Sequence, residues 1–129
     1  MKLGYIILYV PDVDDAVEFY ERAFGLSRRF IHESGTYAEL TTGETTLAFA
    51  GEGLAASHGF PFRRQRPDAE PGAFEVALVA EDVAAAHQKA IDAGAVERKS
   101  PAEMPWGQTV SYVSDHLGNT VELCTPMAP

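Results

Sequence analysis

A single cysteine, Cys124, among 129 residues leaves no partner for a disulfide within the chain and no thiolate set for a zinc site. That fits a reducing compartment, and the cytoplasm is the expected location. Positive charge is scarce: ten Lys plus Arg against nineteen Asp plus Glu give a formal net charge of −9. Such a balance repels phosphate backbones, which argues against nucleic acid and anionic membrane as partners. Long apolar runs are missing as well. The stretch that follows Met1-Lys2-Leu3-Gly4 stops at Pro11, too short to cross a bilayer and without the flanks of a signal peptide. Imidazole is rare, and His32, His58, His87 and His116 show no metal-ligand spacing. What remains is a globular composition, 46% hydrophobic and 22% charged, which places the chain away from disordered sequences. At this length one domain is expected, with about two-thirds of the unfolded surface buried.

The pattern of apolar residues predicts structure in two similar passes. Tyr5 to Val10 reads as a buried strand bounded by Pro11. A helix follows, capped by Asp12, with Asp14 and Asp15 at its positive end; Val13, Ala16, Val17, Tyr20, Ala23 and Phe24 lie on one face and Gly25 ends it. Ser27 to His32, Thr36 to Thr41 and Thr45 to Ala50 read as strands separated by Ser34-Gly35 and Thr42-Gly43. Residues 51–72, rich in Gly, Pro and charge, read as a linker or surface loop. Then the order repeats. Phe74 to Ala80 is a strand, and Asp82 caps a helix carrying Val83, Ala86, Ala90 and Ala93, which Gly94 ends. Val96 to Lys99, Thr109 to Val113 and Thr120 to Cys124 are strands. Asp12-Val13 and Asp82-Val83 lie at an offset that also pairs Ala16 with Ala86 and Ala23 with Ala93, so the chain is an internal duplication.

A strand-helix-three-strand module repeated once resembles the vicinal oxygen chelate superfamily, which includes glyoxalase I, bleomycin-resistance proteins, fosfomycin-resistance enzymes and extradiol dioxygenases. The best-marked segments are Val10-Pro11-Asp12-Val13 through Phe19-Tyr20 to Phe24-Gly25-Leu26, Pro105-Trp106-Gly107, and Asp115-His116-Leu117-Gly118-Asn119-Thr120-Val121-Glu122. The C-terminal segment is most similar to the bleomycin-resistance-like binding proteins, with His116 where a proline is usual. The resemblance implies an α+β fold of two tandem βαβββ modules, each a half-barrel, facing each other to form a cup. It gives module one as 1–50, the linker as 51–72 and module two as 73–129. Metal-dependent members hold an ion through the first and last strands of each module. Those positions here are Tyr5, Ala48, Glu75 and Glu122, of which only Glu122 keeps the familiar residue. No metal and no cofactor are therefore expected.

Side chains alternate across a strand. With Glu122 inward, Thr120 and Cys124 share its face, as do Ala77 and Val79 with Glu75. The resemblance adds Tyr112, with Val110 and Gln108 in its register and Trp106 just before the strand, expected to be mostly buried. In module one the expected inward set is Tyr5, Ile7, Tyr9, Ala38, Leu40, Thr46, Ala48 and Ala50. An acid such as Glu75 between Phe74 and Val76 points to an open pocket, and with Glu122 it forms a carboxylate pair in which one pKa is raised. Cys124 reads as a packed strand residue and His87 as a helix-edge packing residue. Phe60, Phe62, Arg63, Arg64 and Arg66 form either a solvated loop or a lid whose guanidinium groups meet an anionic ligand or a partner subunit.

The resulting expectation is a small-molecule-binding protein that sequesters a drug or metabolite in a metal-free cup at the interface of a homodimer. Its ligand is partly aromatic and is lined by Tyr5, Ile7, Ala38, Ala48, Phe60, Phe62, Trp106, Gln108, Val110, Tyr112 and Glu122. The alternative is a glyoxalase-like lyase or isomerase, or a dioxygenase, with Glu122, Tyr112 and Glu75 as catalytic residues.

Overall fold

In the computed structural model, which describes residues 1–128, the chain divides between Arg64 and Gln65 into two units. The first runs β1 (Tyr5–Val10), α1 (Val13–Phe24), β2 (Ser27–Ile31), β3 (Tyr37–Thr41), β4 (Thr46–Gly51) and the short α2 (Glu52–Ala56). Its sheet has the order β1-β4-β3-β2, with β1 parallel to β4 and the other pairs antiparallel. The carboxylate of Asp12 accepts the Asp15 N–H at 3.0 Å, satisfying one of the donors a helix start leaves open. At the other end Gly25 takes a left-handed φ of 68° and returns its N–H to the Glu21 carbonyl. Val13, Ala16, Val17, Phe19, Tyr20 and Ala23 form the buried stripe between these caps. It packs on the sheet, where the Tyr20 ring lies 5.1 Å from Phe49 of β4. Each large side chain in such a contact contributes about 1.5–3 kcal/mol.

The second unit repeats this order as β5 (Val76–Val79), α3 (Val83–Asp92), β6 (Val96–Glu103), β7 (Thr109–Ser114) and β8 (Thr120–Cys124), with the sheet order β5-β8-β7-β6. Asp82 accepts the Ala85 N–H at 3.0 Å as Asp12 does that of Asp15. The Asp115–Asn119 turn joins β7 to β8 through one carboxylate. Asp115 Oδ1 accepts the N–H groups of Leu117 and Asn119, and Oδ2 accepts the Asn119 amide. Gly118 in that turn has a φ of +89°, and an added Cβ would meet the Arg66 carbonyl oxygen at 3.1 Å, so both backbone and space require glycine there.

Several boundaries differ from the sequence reading. β5 begins at Val76, so Phe74 and Glu75 precede it. β6 runs on to Glu103 through Pro101; it is an edge strand, where the missing N–H of proline costs no ladder bond. The stretch 51–72 holds α2, whose five residues are too few to show a helical period. It is also shared, its first part belonging to the first unit and 65–72 to the second. Among the described residues no helix is long and apolar enough to cross a membrane.

One difference between the repeats lies under the helices. Val17 packs α1 on the sheet, where Ala38 lies opposite Phe49; the corresponding residues under α3 are His87 and Ser111, the latter opposite Leu123. His87 is buried. Its Nδ1 lies 2.9 Å from Ser111 Oγ and its Nε2 2.8 Å from Glu97 Oε2. A carboxylate only accepts, so Nε2–H donates to Glu97, while Nδ1 shares its hydrogen bond with the Ser111 hydroxyl. His87→Val alone leaves that buried hydroxyl without its partner and should cost about 1–3 kcal/mol. The double variant His87→Val/Ser111→Ala, which copies Val17 and Ala38, should recover most of the loss in urea unfolding.

Candidate functional site

Strand pairing divides each sheet into a face packed on its helix and a face turned away from it. In the second unit Ser111 lies on the helix side, through its bond to His87. Alternation then puts Val110, Tyr112 and Ser114 on the far face. Pairing places Ala77, Glu122 and Tyr112 in one row across it, and Val79, Cys124 and Val110 in the next. Glu75 reaches the same face from just ahead of β5.

Glu122 is the centre of this face. Its Oε1 accepts the Tyr112 hydroxyl at 3.0 Å, and its carboxylate bonds that of Glu75; Cys124 lies beside it, its thiol donating to the Leu78 carbonyl at 3.8 Å. The bond to Glu122, burial and the neighbouring negative charge all raise the pKa of Glu75 above the ordinary carboxylate value, which favours its protonated form. Burial first, then Glu122, pushes the Tyr112 phenol up to about 12 and the Cys124 thiol up to about 11. Both are therefore neutral donors at physiological pH, and Cys124 is no nucleophile. Glu75 and Glu122 stand within hydrogen-bonding reach, so a proton can pass from one carboxyl to the other.

Trp106 departs from expectation: it is 60% exposed rather than mostly buried. Pro105-Trp106-Gly107 forms a turn closed by Gly107 N–H to the Met104 carbonyl, which carries the indole off the sheet. Its Nε1–H donates to Gln108 Oε1 at 2.7 Å, and the buried Gln108 donates in turn to the Thr125 carbonyl at 2.8 Å.

In the first unit the face away from α1 carries Tyr5, Ile7 and Tyr9 of β1, paired with Thr46, Ala48 and Ala50. Tyr5 and Ile7 are 54% and 44% exposed, whereas Ala48 has no exposed surface. Here the expected inward set needs correction. Ala38 pairs with Phe49, which lies against Tyr20, so Ala38 and Leu40 lie on the helix side; Tyr37 and Glu39 occupy the far face. The physical reason is that the apolar stripe of α1 requires apolar partners, and Ala38 and Leu40 are the apolar alternates of β3. That requirement was the signal that could have revealed Glu39. This acid is only 7% exposed; its Oε2 accepts the Tyr37 hydroxyl at 2.9 Å and its Oε1 meets Arg29 Nη1 at 3.2 Å. Burial, then Glu39, pushes Tyr37 to about 12.

Of the aromatics in 51–72, Phe62 folds onto the first unit, its ring 4.9 Å from Tyr9 with the Arg64 guanidinium over it and Arg64 Nε 3.8 Å from Glu52. Phe60 stays exposed beside His58.

The residues at the metal positions do not suit a divalent ion. Ala48 has no donor atom, Tyr5 offers a phenol, and the two acids Glu75 and Glu122 bond each other. No group of three or more His, Cys, Asp or Glu able to hold a metal occurs among the described residues.

Two βαβββ units, each with a helix on one side of a mixed four-stranded sheet and a tyrosine–glutamate pair on the other, define a duplicated α+β class of protein. The chain belongs to the Glyoxalase/Bleomycin resistance protein/Dioxygenase superfamily, whose family model matches residues 2–123. No curated protein matches the chain. Among solved structures it is similar to a glyoxalase-related enzyme from Fulvimarina pelagi, with a TM-score of 0.80 and 22% identity over 97% of this chain and 88% of that one. TioX from Micromonospora sp. ML1 gives a TM-score of 0.72 and 22% identity over 97% and 98%. Protein SA1046 from S. aureus gives 0.79 and 16% over 98% and 95%. At these identities the likeness establishes the fold.

The raised pKa of Glu75 has a measurable consequence. With its native pKa raised above the unfolded value of 4.5, Glu75 binds a proton more tightly when folded. Its contribution to stability is complete below 4.5 and is lost as pH rises through the raised native value. Glu75→Gln should flatten this part of the melting-temperature profile and leave Tyr112→Phe, measured alongside, still sloping.

Proposed function

We propose that the chain binds a small, partly aromatic organic molecule on the sheet faces turned away from its helices. In this reading it holds the molecule without a metal, sequestering a drug or metabolite as bleomycin-resistance-like members of the superfamily do. The observation that carries the proposal is the engagement of Glu122. The one residue that keeps the ligand type of metal-dependent relatives accepts the Tyr112 hydroxyl and bonds the Glu75 carboxyl, so its carboxylate is engaged within the protein. Around it, Trp106 is exposed and Val79 is 66% exposed, surfaces that suit burial of a planar, apolar group.

A second reading is favoured by the bonded carboxyls of Glu75 and Glu122 and the raised pKa of Glu75. It is a general acid–base enzyme, a glyoxalase-like lyase or isomerase or a dioxygenase, with Tyr112 orienting Glu122. Calorimetric titration with planar aromatic amides, beginning with 1-naphthamide, separates the two. Under the binding reading, Trp106→Ala weakens affinity by roughly tenfold, about 1.4 kcal/mol, and Glu122→Gln, which keeps shape and an acceptor, changes it less. Turnover of the methylglyoxal–glutathione adduct or of catechol, abolished by Glu122→Gln, would establish the enzyme instead.

The same reading includes a homodimer. β1 and β5 are edge strands with exposed Tyr5, Ile7 and Val79, and open apolar edges invite pairing with a second copy. Light scattering should give about twice the 14.0 kDa chain mass, with an interface above roughly 1,200 Å²; a monomer at micromolar concentration would contradict it.

A further inference from the structure

The two edge strands farthest from β1 and β5 carry the same irregularity. In β2, Arg28 pairs with Leu40 and Phe30 with Glu39, so Arg29 is an extra residue; in β6, Glu97 pairs with Val113 and Lys99 with Tyr112, so Arg98 is extra. A bulge of one residue breaks the alternation and re-aims the side chain at that point. The residue before each bulge stays on the helix side, as Arg28 bonds Glu21 of α1 and Glu97 bonds His87 of α3. The extra arginine in each case turns to the other face. Arg29 Nη1 meets Glu39 at 3.2 Å, and Arg98 Nη1 donates to Ser114 Oγ at 3.0 Å.

Both arginines are therefore anchored through the same nitrogen, which leaves the same edge of the guanidinium, Nε with Nη2, without a partner among the described residues. What that edge takes is visible elsewhere in the chain. Arg28 uses its Nε and Nη2 to grip the two oxygens of Glu21 at 3.0 and 2.9 Å, the planar bidentate geometry that distinguishes Arg from Lys. Arg98 is the stronger candidate of the two, because its anchor is a neutral hydroxyl and its charge is unpaired, whereas Glu39 offsets that of Arg29. It also stands on the face that carries Tyr112 and Glu122.

We propose that Arg98 recognises a carboxylate group of the ligand through its Nε/Nη2 edge, with Arg29 the equivalent, weaker site in the first unit. This rests on the small-molecule-binding reading and names the ligand class as an aromatic or conjugated organic acid. It also gives an otherwise acidic protein a defined place for an anion, since Ser114 fixes the guanidinium before the ligand arrives.

The test compares 1-naphthoate with its neutral counterpart 1-naphthamide on the full chain, by calorimetry and by the arginine Nε–Hε resonances. Naphthoate should bind at least tenfold more tightly than naphthamide, shifting the Arg98 Hε signal and, less, that of Arg29, while Arg28 stays fixed on Glu21. Arg98→Gln and Arg98→Lys should each abolish the preference for naphthoate and leave naphthamide affinity unchanged, the lysine variant separating fork geometry from charge. Equal binding of both compounds, or a preference that survives Arg98→Lys, overturns the inference and leaves the binding reading standing. Failure of both compounds to bind overturns the two together. 1-Naphthyl phosphate serves as the third arm, and a preference for it over naphthoate would replace the carboxylate with a phosphate ester and so overturn the assignment.

Discussion

Each sheet in this protein can give only one face to its helix, and that constraint arranges everything else. The stripe Val13, Ala16, Val17, Tyr20 and Ala23 demands an apolar partner surface, and β3 and β4 supply it with Ala38, Leu40, Leu47 and Phe49. Because side chains alternate, satisfying the helix sends Tyr37 and Glu39 to the opposite face with no further choice available. The second unit obeys the same rule. Val113, Val121 and Leu123 go to the helix, and Tyr112 and Glu122 follow to the other side. The chemistry-bearing face is the complement of the packing face.

The repeats diverge in how they neutralise what that face collects. In the first unit the buried acid Glu39 is met by a cation, Arg29, and a phenol. In the second, Glu122 is met by a phenol, a thiol and another acid. An ion pair offsets the first; the second sets acid beside acid, which raises the pKa of Glu75. The helix sides diverge in the same way, from Val17 over Ala38 to His87 over Ser111. Duplication preserved the order of elements and the N-terminal caps Asp12 and Asp82 while the polar partners were reassigned within each copy.

What could be read from the sequence follows from how local each signal is. Helices α1 and α3 were legible because each start signal, Asp12 or Asp82, and each stop, Gly25 or Gly94, lies next to the 3.6-residue period it bounds. β8 was legible because the Asp115–Asn119 turn fixes its start. The pairing of Glu75 with Glu122 followed from a register implied by the resemblance. Glu39 was hidden because its facing depends on what α1 needs, a partner some twenty residues away. Trp106 was misjudged because size favours burial, whereas the Met104–Gly107 turn lifts it from the sheet. The bulges at Arg29 and Arg98 leave no mark in the apolar pattern, since both strands lie at exposed edges.

The engagement of Glu122 has an evolutionary side. For this scaffold to acquire a divalent ion at that residue, new imidazole donors alone would be insufficient. Tyr112 and Glu75 would have to release the carboxylate, so an incoming ion competes with hydrogen-bond partners already in place. Gaining metal dependence at this residue thus calls for the removal of internal partners as well as the gain of ligands.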